Sequence, residues 1–302
     1  MEKTATIIIR AAGEIITTAA LAAAVLILAL ALYTELESYR IIAEADSVRY
    51  STYKPTADDT VTFDELLELN GDVVGWIMID GTGIDYPIVQ GSSNEEYINK
   101  NVFGEFSLSG AIFLDYRCSA GFTDPLSVIY GHNMTGGVMF GGLKEFENKE
   151  YFDSHRSGTL YCGGEYYRLE IFSCFTANGH DPTVYRIPLN AEAVGDWTER
   201  ILSLSECSAE DMDTDAPILL MSTCSSGQTD ERTLLAAHIR PGGSPFVKND
   251  GAVPDGGLIR LADKLQSGFG AGELIAAALV WLALTVIYVR IRRKSNGQKH
   301  GA

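Results

Sequence analysis

Apolar positions fall into two patterns along the chain. From Ile15 to Tyr33 the run IITTAALAAAVLILALALY carries no charge over nineteen residues. As a helix rising about 1.5 Å per residue it matches the thickness of a bilayer's hydrocarbon core. A second run, LIAAALVWLALTVIYV from Leu274 to Val289, reaches back to Phe269 if Glu273 sits at the interface, and Arg290, Arg292, Arg293 and Lys294 close it. Between these ends apolar residues come in short bursts separated by Gly, Asp and Pro: VVGWIMI (73–79), DYPIVQ (85–90), AIFLDY (111–116), LSVIYG (126–131), GTLYC (158–162), YYRLEIFSCF (166–175), APILLMSTC (216–224) and TLLAAHI (233–239). Eight short runs of this kind predict a mainly β barrel or sandwich. Helical spacing is confined to FDELLEL (63–69), LKEFENKEYF (143–152) and AEAVGDWTERILSLSE (191–206), the expected peripheral helices.

Flanking charge orients the two long runs. Lys3 and Arg10 precede the first and the Arg/Lys cluster follows the second, so the positive-inside rule puts both termini in the cytoplasm and the intervening residues outside. A basic start and Ala29-Leu30-Ala31 also fit a cleavable signal, but the run is longer than a signal's apolar core, which favours an uncleaved anchor. The expected layout is a cytoplasmic N-terminus (1–14), a transmembrane anchor (15–33), a stalk (34–62), a folded domain (63–240), a Gly/Pro-rich linker (241–268), a second transmembrane helix (269–289) and a basic tail (290–302).

Net charge is −17 over 302 residues. Seven of the 23 basic residues and three of the 40 acidic ones lie in the flanks, so the exported segment keeps 16 and 37 and carries −21. With no basic run in it, that segment has nothing to hold a nucleic-acid backbone, and its acidity reads as a solvated surface. The five cysteines, 118, 162, 174, 207 and 224, are an odd number for an exported domain. Their spacings match no paired ligand pattern, so neither a structural metal nor a cofactor is expected.

One cysteine stands apart. Cys224 closes the apolar run ILLMSTC and precedes the polar SSGQTDER, where a buried strand fixes the backbone and a loop leaves the sulfur reachable. A core cysteine at a strand end is the competing reading. Of the exported histidines, His132 follows SVIYG at another strand-to-loop junction, whereas His155 lies at a polar helix end, His180 in a turn and His238 inside a strand. Arg232 opens the strand after the Cys224 loop, so a hairpin returns its guanidinium towards the thiol; pairing with Asp230 or Glu231 is its ordinary alternative.

Tyr130-Gly131-His132-Asn133-Met134, Met139-Phe140-Gly141-Gly142-Leu143, and Ser222-Thr223-Cys224 with Arg232 eight residues on together resemble the sortases, specifically class B. GWIMIDGTGIDYPIVQG (75–91), NEEYI (94–98) and GEFSLSGAIFLDYR (104–117) agree, so the resemblance spans 63–240. It implies an eight-stranded sortase-type β-barrel on a Gram-positive cell membrane, acting as a cysteine transpeptidase without a metal. Its expected partners are secreted proteins bearing a sorting signal of the N-P-x-T type, and peptidoglycan or its lipid-linked precursor as the amine acceptor. By the same resemblance Cys224 is the nucleophile, His132 the proton carrier and Arg232 the oxyanion stabiliser. Asn94, Ile98, Ser222 and, by a looser alignment, Tyr185 line the substrate groove.

The second membrane run departs from class B and is more like the pilus-polymerising class C. That class carries an Asp-Pro-aromatic lid motif before the barrel, which 34–61 lacks; Asp181-Pro182 lies within the barrel sequence instead. Polymerisation therefore stands as an alternative to wall attachment. A thiol hydrolase would use the same three residues, and a membrane-tethered surface scaffold, with Cys224 paired to another cysteine, is the non-enzymatic alternative.

Overall fold

Every burst of β-branched and aromatic residues named above becomes a strand in the computed structural model, which describes residues 2–209, 216–224 and 230–247 together with Trp281 and Thr285. The second membrane run, the basic tail and the linker beyond 247 lie outside the described residues, apart from helical Trp281 and Thr285. The chain divides into two units, and Ile41–Val253 carries the sheet.

Helix α1 runs from Glu2 to Ala45 and is long and apolar enough to cross a membrane. Side chains such as Ile8, Ile16 and Leu28 are exposed along it. Helix α2 (Val61–Leu69) buries Phe63 and Leu66. The strands are β1 (Val73–Ile79), β2 (Asp85–Val89), β3 (Ile112–Leu114), β4 (Leu126–His132), β5 (Ser157–Cys162), β6 (Glu165–Asn178), β7 (Ser205–Ser208), β8 (Ile218–Cys224) and β9 (Glu231–Pro241). They hydrogen-bond in the order β5-β1-β2-β3-β4-β8-β9-β6-β7, and a further β5–β6 pairing closes eight of them into the expected barrel, with β7 added outside the ring against β6. Closure leaves the eight ring strands no free edge along their paired lengths. The ring is covered on both faces: Ile77, Ile88, Ile129, Leu169 and Leu235 lie on one and Trp76, Phe175 and Leu220 on the other, all essentially without solvent contact.

Three segments differ from the expectation. AEAVGDWTERILSLSE is helical only as far as Leu204 in α4 (Val194–Leu204). Ser205 then pairs with β6 as the start of β7, its hydroxyl bonded to Ser173 Oγ at 2.6 Å. LKEFENKEYF is broken at Asn148: a 3-10 segment (Gly141–Glu147) precedes it, and its side chain accepts from Tyr151 N to start α3 (Lys149–Ser154). Residues 46–56, read as part of a stalk, pack on the barrel through buried Tyr50 and Lys54. Lys54 Nζ lies 2.7 Å from Asp85 Oδ2 and Trp76 Nε1 donates to Asp85 Oδ1 at 2.7 Å. A lysine is buried only when its charge is answered in this way.

Candidate active site

β4 and β8 read as near-continuous apolar runs, the pattern of strands covered on both faces, and they lie parallel at the centre of the sheet. Their register pairs Tyr130 with Ser222, Gly131 with Thr223 and His132 with Cys224, so both strands end together and bring the histidine and cysteine positions side by side. Residues 225–229, the polar loop after the cysteine, lie outside the described residues. Gly131 lets the Phe140 ring pack directly on β4, since a Cβ there would overlap that ring and Ile112. His132 Nε2 lies 3.0 Å from the carbonyl of Ile98. A carbonyl only accepts, so this contact places a proton on Nε2 and leaves Nδ1 as the nitrogen that can gain or lose one.

Arg232 enters from β9, antiparallel to β8 on its other side. Its Nη1 donates to the carbonyl of Thr223 at 3.1 Å, the peptide group next to Cys224. The side chain runs across Gly179, where any Cβ would overlap the guanidinium. Its Nε–H is buried and has no partner among the described residues.

Of the other expected site residues, Asn94 precedes the 3-10 turn Glu96–Ile98 between β2 and β3 by two residues and Ile98 closes it. The Asn94 carboxamide is held at both ends, donating to Asp115 Oδ2 at 2.8 Å and accepting from Tyr116 N at 3.1 Å. Tyr185 and Ser222 share a hydrogen bond of 2.8 Å, and the Tyr185 ring stacks on Tyr130 with centroids 6.2 Å apart. These contacts join Asn94, Tyr185 and Ser222 into one wall that ends two residues before Cys224.

The hub of that wall is Asp115, which sequence reasoning passed over. Its fully buried carboxylate accepts from Arg117 Nε and Nη2 at 2.9 and 2.8 Å, from Asn94, and from the Tyr130 hydroxyl at 3.0 Å. Burial works to raise the carboxyl's pKa, but the Arg117 and Asn94 donors outweigh it and hold it below the ordinary range. The available signal was Asp115-Tyr116-Arg117 directly after a strand, an i,i+2 acid–base pair that reads on its own as a solvated turn.

Asp115→Asn keeps the shape but loses the charge that answers Arg117, and stability is expected to fall by about 2–3 kcal/mol. A depressed carboxyl contributes its stability above about pH 4 and loses it as pH falls through its lower folded value. Urea melts of the two proteins should therefore differ at pH 7 and converge in strong acid; a constant gap would deny the ion pair this role.

The other exported histidines sit elsewhere. His155 stacks on Tyr151 with centroids 3.9 Å apart, His238 is buried against Phe172, and His180 is exposed, 3.9 Å from Asp230.

The sortase domain model matches residues 77–240. Sortase B of Listeria monocytogenes is 40% identical over 111 residues, covering 37% of this chain and 45% of the relative. Sortase B of Staphylococcus aureus is 30% identical over 121 residues, covering 39% and 49%. The chain thus spans about half the length of the curated relatives it matches. A solved Streptococcus pyogenes class B sortase involved in pilus biogenesis is 38% identical, with a TM-score of 0.55 over 60% of this chain and 98% of that one.

Proposed function

The chain belongs to the sortase family, and from that premise we propose that it is a class B cysteine transpeptidase, held in the membrane by α1 with its barrel outside the cell and both termini in the cytoplasm. Its substrates are secreted proteins ending in a sorting signal of the N-P-x-T type, and its acceptor is an amine of peptidoglycan or its lipid-linked precursor. The observation that carries this reading is the pairing of His132 with Cys224 at the common end of β4 and β8, with the Arg232 guanidinium on the adjoining Thr223 carbonyl.

The Cys224 thiolate attacks the threonyl carbonyl, and Arg232 stabilises the oxyanion. His132, with its Nε2 proton committed to Ile98, gives the Nδ1 proton to the departing amine as the C–N bond breaks. An imidazolium paired with a thiolate has that proton in place before substrate arrives. Asn94, Ile98 and Tyr185 line the groove for the signal, and Ser222, expected there too, is fully buried and holds the Tyr185 hydroxyl from behind. Likeness to a Streptococcus pyogenes class B sortase involved in pilus biogenesis and to a sortase B from the Type II pilus of Streptococcus pneumoniae favours a second reading, in which the acceptor is a pilin lysine.

The test uses full-length protein in detergent with quenched peptides carrying N-P-x-T and L-P-x-T-G signals, with and without an added amine, read by mass spectrometry. Cleavage after threonine with an amine-ligated product is expected, N-P-x-T being preferred. Release of free acid alone at saturating amine would make the protein a hydrolase, and no cleavage of either peptide would remove the enzymatic reading.

A further inference from the structure

The carbonyl of Ile98 lies against one side of His132, and a separate concavity begins at the residue that follows the histidine. An open groove of about 630 Å³ is lined by Asn133, Thr135, Gly136, Gly137, Gly142 and Glu145, with Met134 and Gly141 completing it. Its wall is tied to the histidine's own backbone: Phe140 N donates to the carbonyl of His132 at 3.0 Å, and Asn133 bridges Met139. The groove therefore begins at the residue next to His132.

Its lining has two chemical features. Four of the eight lining residues are glycines, and Gly136 and Gly137 hold left-handed φ of 80° and 74°, so a peptide backbone can approach with no side chain in the way. Glu145 is the single charged residue among them. It is exposed and makes no ion pair among the described residues, and its basic neighbour Lys144 does not line the groove. The volume suits a group of dipeptide size.

Resting on the reading of Cys224 and His132 above, we propose that this groove is the entry path of the acceptor, and that Glu145 concentrates there a protonated primary amine at the end of a short peptide. An acceptor amine is mostly ammonium at neutral pH and must shed a proton to react. That first proton leaves to solvent. Having protonated the departing amine, His132 is neutral at Nδ1; as the neutral amine's lone pair attacks the thioester carbonyl, His132 takes the proton the nitrogen sheds in becoming an amide, the C–N bond forms, the C–S bond breaks, and thiolate and imidazolium are restored together. A carboxylate at the groove rim raises the local concentration of cationic acceptors without having to touch the reacting nitrogen.

The experiment follows amide product from full-length protein in detergent as the acceptor is titrated at saturating signal peptide. Two acceptors are compared: triglycine amide, a cation at pH 7, and hydroxylamine, which is neutral there. Glu145→Gln is expected to raise the half-saturating concentration of triglycine amide about threefold to fivefold, and Glu145→Lys about tenfold, with hydroxylamine unaffected. The difference should shrink at high salt. Gly142→Leu, at a position where a Cβ meets only ordinary contact, should weaken triglycine amide more than hydroxylamine by filling the groove. Triglycine amide curves unchanged in all three variants would overturn the proposal while leaving peptide cleavage, and so the Cys224 reading, standing. A wild type that cuts no peptide would remove both.

Discussion

Cys224→Ala is expected to abolish peptide cleavage, a loss on the order of 10⁴-fold or more, because removing the nucleophile removes the thioester route itself. The same variant gives a second readout. The other four thiols, Cys118, Cys162, Cys174 and Cys207, are all buried. Burial pushes Cys118 up to about 12 and Cys162 to about 11, and raises Cys174 and Cys207 as well. A thiol must ionise to react, so these four are inert at pH 7.5 in the folded protein. One equivalent of a chromogenic disulfide reagent is expected to react quickly with the native wild type and none with Cys224→Ala; unfolding should release five and four. If Cys224→Ala still cleaves after threonine, or if the native wild type shows no fast thiol, the cysteine is not the nucleophile. The sign of the pH effect follows from the same burial: thiols kept neutral in the folded state stabilise it below about pH 8.5 and cost it stability above.

Barrel strands were legible because their information is local. VVGWIMI, LSVIYG and ILLMSTC are each too apolar and too β-branched for a surface loop, and turn residues bound each of them. What could not be read was information held between segments. Ser205-Glu206 closes a helical pattern on paper, and with Cys207-Ser208 becomes β7 only because β6 offers it a partner. Lys54 looks like a stalk residue until Asp85, thirty-one positions later, gives its charge a buried answer. The site divides in the same way. Cys224, His132 and Arg232 mark themselves by lying where strands meet loops. Asp115, which ties Asn94 to Tyr130, and Gly179, over which Arg232 lies, are defined by neighbours 15 to 53 positions away.

Arg232 carries the second large expectation. Its guanidinium is placed by three constraints: β9 pairing, the Thr223 carbonyl 3.1 Å from Nη1, and a path over Gly179 that admits no side chain. One donor is thus spent on holding the backbone beside Cys224 and the Nε–H is buried over Gly179, so the second terminal nitrogen is the one proposed for the substrate. Arg232→Ala removes the developing-charge partner, and kcat is expected to fall by roughly 10²–10³-fold with a smaller change in KM for the peptide. Arg232→Lys separates charge from geometry. An ammonium keeps the positive charge but cannot donate to Thr223 and to an oxyanion from a planar fork, so about tenfold or more of the loss should persist. Gly179→Ala makes the complementary perturbation, displacing the guanidinium without altering it, and should lower kcat in the same direction while leaving the fast Cys224 labelling intact. Full activity in Arg232→Lys would reduce the residue to a diffuse positive charge, and full activity in Arg232→Ala would return the oxyanion to backbone amides alone.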